Sequence, residues 1–374
     1  MTLAEPGPKQ PLPDWYMQRD MVEVFSRIMA GEFCEIVGVG SAGKSNFARH
    51  MTRSDVKRRY MHQFEPYYIM VLLNPHLMVT ADSSVSDAWP GYEIMLSRLR
   101  RELIDLERRN LITTTPESGD VIAQVERRYA NLFSTHTVIA QSGIRHMEDA
   151  VYEVLALGKD WQVVFIFDEM EEFMRNLPPE FFQSLRGIRD EFKGRVMYVT
   201  TSRVPLVQIP LPETDGHDAM VLQGFLELFH GFTYHLRPLD EQSALEVIRR
   251  LEQRNAYAMP DSNQRRLLEA TGGHAGLLRR GFLPTMTLSN SRRSDSAYFN
   301  ALLSDRGVRQ ECEMIYDSLS EDEQEAIMAI TRDHPPDEES PALQSLIDKN
   351  LIVKRNNNYY HAIPLFAGFL RERA

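Results

Sequence analysis

Eight residues constrain this chain more than any others. Gly38-Val39-Gly40-Ser41-Ala42-Gly43-Lys44-Ser45 matches G-x-x-x-x-G-K-[ST] without a mismatch. The pattern has a physical reason: glycines let successive backbone N–H groups wrap an anion, and a helix starting behind them points its positive end at the same place. The surroundings agree. Residues 33–37 form a short apolar run suited to a buried strand before the loop, and residues 45–51 read as a helix after it. In such a loop Lys44 bridges the β- and γ-phosphates and the Ser45 hydroxyl ligates Mg²⁺.

Further apolar runs at 67–73, 162–167 and 196–201, with a weaker one at 232–236, alternate with helical patterns. That alternation predicts an α/β fold, a P-loop NTPase parallel sheet covered on both faces. The run at 162–167 ends in Asp168-Glu169. Beside a phosphate loop, Asp168 is placed to hold Mg²⁺ through water and Glu169 to orient and polarise an attacking water. Glu171 and Glu172 read as a solvated helix start. With the strand at 67–73 lying between the two motifs, the chain reads as a P-loop ATPase with an added strand and a catalytic glutamate. No guanine-specific N-K-x-D motif occurs in the sequence.

About 90 residues separate the second and third runs, far more than one crossover needs. A helical insertion over about 76–158 is expected, with helices at 92–109 and 147–157 and a polar loop at 113–119. Arg98, Arg100, Arg101, Arg108 and Arg109, interleaved with Glu102, Asp105 and Glu107, read as a salt-bridged solvated face. Beyond the fifth run the pattern is wholly helical from 240 to about 280. Residues 284–297, rich in Ser, Thr, Asn and Arg, read as a linker or exposed loop. Ser320 with Glu323 three residues later signals a capping box. A stripe at Leu343, Leu346 and Ile347, two short strands around Asn356-Asn357-Asn358, and a closing helix with Leu365, Phe366, Phe369 and Leu370 follow.

Val199-Thr200-Thr201-Ser202-Arg203 resembles the strand end of the STAND class of signalling ATPases, relatives of AAA+ proteins, where Thr-Thr-Arg is common. The resemblance implies that Arg203 touches the γ-phosphate. Leu236-Arg237-Pro238-Leu239-Asp240 is similar to the STAND segment whose proline leads into the helical lid and lies by the adenine. Thr271-Gly272-Gly273-His274-Ala275 resembles the lid's G-G-x-P helix start, with Ala275 in place of proline. His274 reads equally as a plain helix-start residue, and Arg279 or Arg280 as a second phosphate sensor or an exposed helix arginine. The C-terminal outline resembles a winged helix. A winged-helix histidine touches the β-phosphate in some relatives, which makes His361 a candidate, although the Met-His-Asp signature is not matched.

The implied organisation is an extended leader at 1–14, an ATPase core at 15–237, an all-α lid at 238–300 and a winged-helix domain at 301–374. The candidate nucleotide set is Gly38, Gly40, Ser41, Ala42, Gly43, Lys44, Ser45, Asn46, Pro238 and His361. Glu169, Lys44 and Arg203 are the catalytic candidates, Ser45 and Asp168 the Mg²⁺ ligands, and ATP/ADP with Mg²⁺ the expected cofactors.

Charge bears on partners. The chain of 374 residues carries 53 acidic and 42 basic side chains, a net of −11, which excludes a general nucleic-acid coat. Residues 311–374 hold 13 acids against 6 bases, a net of −7, and such a module repels a duplex overall. A protein partner or self-association is therefore expected over nucleic acid. The two cysteines, Cys34 and Cys312, lie far apart without metal-spaced partners. With no membrane-length apolar run and no charged-then-apolar leader, a reducing cytoplasm is expected. The first expectation is an ATP-driven switch of signalling or defence type, with slow hydrolysis as a reset. The alternative is a DNA-binding AAA+ ATPase of the origin-recognition or transposition-regulator type.

Overall fold

The computed structural model of the chain describes residues 11–79, 87–112, 120–134, 142–209, 216–288, 294–334, 336–356 and 358–374. Expected features at 1–10 and 113–119 lie outside them. The chain divides into two compact units: one holds Met21–Val37 and Lys44–Tyr234, the other the described residues through Asp20, with Gly38–Gly43 and His235–Ala374. The division falls inside the glycine-rich motif, between Gly43 and Lys44.

The first unit is built on a parallel sheet. Its strands are β1 (Cys34–Val37), β2 (Tyr68–Leu73), β3 (Gln162–Phe167), β4 (Val196–Ser202) and β5 (Thr233–His235), in the order β2-β3-β4-β1-β5. Each coincides with an apolar run to within two residues at either end. These runs lack alternation because both faces of a parallel sheet are covered, and β1, β4 and all but the first residue of β3 are buried throughout. The register places Phe167 beside both Leu73 and Thr200, so β2 and β3 end level and β4 runs two residues further. The strand at 67–73 falls between the two motifs in sequence but takes the sheet edge in space. It is β4 that separates the phosphate-loop strand from the Asp-Glu strand.

Phe33, Phe165, Phe167, Tyr198, Phe225 and Phe229 belong to one buried cluster behind the sheet. Tyr198 is fully buried, and its hydroxyl donates to the Leu185 carbonyl at 2.7 Å, which removes the cost of an unmet donor. Among the described residues the expected insertion holds the helices Trp89–Arg108, Val121–Asn131 and Gly143–Leu155, which pack on one another, the first of them also on β2. Two of its arginines pair across elements. Arg109 reaches Glu65 at 2.9 Å, while Arg100 reaches Glu126 at 3.4 Å and lies over the Tyr129 ring.

The second unit is helical apart from one hairpin. The helices Glu241–Asn255, Asp261–Thr271 and Ala275–Leu288 occupy the region expected to be all helix. The sequence expectation at 284–297 is corrected at its two ends, where Ala275–Leu288 runs through Pro284 and Ser294 caps Asp295–Leu303; residues 289–293 lie outside the described residues. The reason is local: Thr285 is fully buried and bonds back to the Gly281 carbonyl and across to the Tyr298 hydroxyl, both at 2.8 Å, and these anchors outweigh the polar composition. The helices Arg306–Asp317, Glu321–Thr331 and Pro341–Asp348 follow, then β6 (Ile352–Arg355), β7 (Asn358–His361) and Pro364–Arg373. Ser320 and Glu323 make the expected capping box. Both Glu323 oxygens also receive the fully buried Lys349 ammonium, at 2.5 and 2.7 Å.

Candidate functional site

In the sheet unit, the functional candidates gather where β3 and β4 end. The helix Lys44–Met51 starts on the motif lysine itself. Burial pulls the Lys44 ammonium down to about 8; Glu171, Asp168 and Glu169 oppose that drop and Arg203 adds to it. A lysine set among three carboxylates stays cationic at neutral pH while remaining only partly hydrated, a state in which an incoming anion is strongly attracted.

Asp168 is buried and fixed. The Thr201 hydroxyl donates to its Oδ1 at 2.7 Å and accepts the Glu169 N–H at 3.0 Å, so one side chain on β4 orients both acids of β3. Asp168 N–H continues the sheet ladder by donating to the Leu73 carbonyl at 3.0 Å. Glu169 then leaves the strand in a left-handed conformation, φ +55, at the start of the helix Met170–Asn176. That turn lifts its carboxylate out of the sheet, where Oε2 meets His76 Nε2 at 3.2 Å. Arg203 is exposed at the end of β4, and its backbone N–H donates to Glu171 Oε1. Glu171 is thus tied to the strand end rather than being a merely solvated helix-start residue.

Thr201 and His76 were not singled out as site residues in the sequence. Thr201 stands within the quoted Val199–Arg203 stretch, and its period-2 position on β4, facing β3, is the signal that points to it. His76 carries no such signal, since only the fold brings the end of β2 next to Glu169.

In the other unit, the glycine-rich segment Gly38–Gly43 has the backbone its motif requires. Ser41 (φ +55) and Gly43 (φ +106) both take positive φ, the alternation that turns successive N–H groups to one side. Gly40 is gripped from two directions. Its N–H donates to Ser318 Oγ at 3.2 Å, and its carbonyl accepts from His274 Nε2 at 3.1 Å. His274 Nδ1 accepts the Leu277 N–H at 3.3 Å, so the proton resides on Nε2 and the ring is neutral. His274 is therefore more than a helix-start residue. Arg279 and Arg280 are exposed, with Arg280 Nε 3.7 Å from Glu311. Pro238 is half-buried before the helix Glu241–Asn255, and Leu239 beside it donates to the Gly273 carbonyl at 3.0 Å. Asn46 is exposed on the helix after the motif. His361 bonds Thr331 through Nε2 at 3.1 Å; burial, with Arg371 adding to it, takes its ring down to about 4.

No protein-family model and no curated protein matches the sequence. Solved structures do. The Walker-type ATPase PABY2304 of Pyrococcus abyssi aligns over 97% of this chain and 98% of its own, at 15% identity and a TM-score of 0.53. The fold is that of a P-loop ATPase. Two further structures align at a TM-score of 0.38. They are Cdc6p from Pyrobaculum aerophilum (12% identity, 99% of this chain and 97% of that one) and the Aeropyrum pernix ORC1 protein in complex with DNA (11% identity, 97% and 93%). No helix among the described residues is long and apolar enough to cross a membrane.

Proposed function

We propose that this chain binds ATP with Mg²⁺, hydrolyses it slowly, and uses its nucleotide state to control association with a macromolecular partner. The single observation that carries the reading is the Thr201 bridge, which fixes Asp168 and Glu169 together at the strand ends near Lys44 in the electrostatics of the site. The residues fit a magnesium-bound nucleotide. A buried, oriented aspartate and the Ser45 hydroxyl suit a hard cation, and the positive-φ loop with Lys44 suits a polyphosphate. Mg²⁺, when bound, supplies neutralisation of charge on the phosphoryl oxygens.

The chain's own residues divide the remaining work. Gly38, Gly40, Ser41, Ala42 and Gly43 offer backbone donors, Lys44 supplies the fixed positive charge, and Asn46 borders the nucleotide. Glu169 accepts the proton of the attacking water, and this requires Oε2 to give up His76. Arg203 senses the γ-phosphate from the end of β4. His361 keeps its candidacy only through Nδ1, which is buried without a hydrogen-bond partner among the described residues, since Nε2 bonds Thr331. The test is phosphate release from Mg-ATP. Wild type turns over at about one per second or slower, and Glu169→Gln keeps nucleotide binding while losing about a hundredfold or more in rate. An unchanged rate in Glu169→Gln contradicts the assignment.

A second reading, a DNA-binding AAA+ ATPase whose C-terminal module acts as a winged helix on duplex DNA, agrees with the names of the Cdc6 and ORC1 structures. The charge of that region opposes it, and Lys354 at the hairpin is already paired with Glu338 at 2.9 Å. Anisotropy of a labelled duplex with the full chain, at low and high salt, separates the two. Binding that falls steeply with salt selects DNA, and no binding with ATP-dependent self-association selects the protein-facing switch.

A further inference from the structure

The segment Gly38–Gly43 is held by residues that none of the roles above uses. Ser318, at the end of the helix Arg306–Asp317, spends its own hydroxyl proton on the Ile315 carbonyl at 2.6 Å, so toward Gly40 it acts as an acceptor. It thus occupies a phosphate-loop amide as an anion's oxygen does. The fit is close: a Cβ on Gly40 would lie 2.9 Å from the Met314 carbonyl of the same helix.

Two turns back along that helix lies Glu311, 2% exposed. Its Oε1 has no hydrogen-bond partner among the described residues, and its other oxygen is 3.7 Å from Arg280 Nε. A Cβ on Gly276 would fall 1.8 Å from Glu311 Oε1 and 2.7 Å from the Ser41 Cβ. The acid and the loop therefore press on the same first turn of the helix Ala275–Leu288. A buried carboxylate with an unmet oxygen is costly, and it lies where negative charge on a nucleotide would repel it.

We propose that the Ser318–Glu311 edge of the helix Arg306–Asp317 is a built-in competitor for the phosphate loop, an autoinhibitory plug that a nucleoside triphosphate must displace. The hydroxyl takes the Gly40 amide and the carboxylate supplies like-charge opposition, so the resting chain binds nucleotide more weakly than its loop allows. Displacement relieves the unmet Glu311 oxygen, which makes departure of this helix edge a natural signal of loading. This inference rests on the nucleotide-binding reading above.

The experiment titrates the full chain with a fluorescent ATP analogue in Mg²⁺, using wild type, Glu311→Gln, Ser318→Ala and, as the loop control, Lys44→Ala. Glu311→Gln keeps shape and removes charge, and it is expected to tighten binding about fivefold or more, the low end of ordinary coupling between sites. Amide exchange across residues 306–318 is expected to speed up when wild type is loaded. Affinity equal to or weaker than wild type in Glu311→Gln overturns the plug. Should that variant fail to fold by its thermal transition, Ser318→Ala decides on the same criterion. If folded wild type and every variant bind nothing, the nucleotide reading itself falls; if wild type binds and the variants do not tighten, only the plug falls.

Discussion

A single hydroxyl on β4 sets the geometry of both acids on β3. Thr201→Val keeps the volume but removes the donor to Asp168 and the acceptor for the Glu169 N–H. It is expected to lower kcat by about tenfold to a hundredfold, the range seen when a partner that orients a metal ligand is lost. Thr201→Ser should restore most of the rate, as steady-state phosphate release will show. Lys44 gives a pH signature. Its ammonium titrates near 8 instead of in the usual lysine range, and a bound polyphosphate favours the charged form. Affinity for ATP is therefore expected to fall as pH rises through about 8, by up to about tenfold per unit, in a calorimetric series from pH 7 to 9.5. The same shift has the opposite sign for stability: the buried charge disfavours the folded state below 8, and that penalty lifts as pH climbs toward the unfolded lysine value.

At the scale of elements, the glycine pair before the helix Ala275–Leu288 is a steric requirement. Gly272 (φ +56) and Gly273 (φ +77) carry no room for a side chain: a Cβ would stand 2.6 Å from the Ala362 carbonyl and 2.4 Å from the Leu239 carbonyl. Gly273→Ala is expected to cost about 2 kcal/mol or more in urea unfolding, since strain and clash add. Lys349→Ala should be at least as harmful, about 3 kcal/mol, because it strands the buried Glu323 carboxylate. These elements differ in how legible they were. The Ser320–Glu323 box is local and its spacing alone announces it, whereas Lys349 looks like a surface lysine until the fold brings it to Glu323. The five strands were legible because doubly covered strands read as unbroken apolar runs. The helical ends of the 284–297 stretch were not, because two buried hydroxyls, Thr285 and Tyr298, anchor Ala275–Leu288 and Asp295–Leu303 where the composition reads as loop. His76 escaped notice for a similar reason: its partner Glu169 lies 93 positions away and meets it only through the β2–β3 pairing.

At the scale of the whole molecule, the glycine-rich segment follows β1 directly in the chain, and the strand order sets β4 between β1 and the Asp-Glu strand. In the function proposed above, charge and nucleotide state govern what the chain engages. With a net of −11, self-association is expected to weaken at low salt and strengthen with Mg-ATP, and light scattering across salt and nucleotide will check both. The central claim is tested most directly by calorimetry of ATP, with and without Mg²⁺, against folded wild type and Lys44→Ala. The account predicts saturable, magnesium-dependent uptake of one ATP per chain that Lys44→Ala abolishes; no heat of binding to wild type, or equal binding by Lys44→Ala, contradicts it.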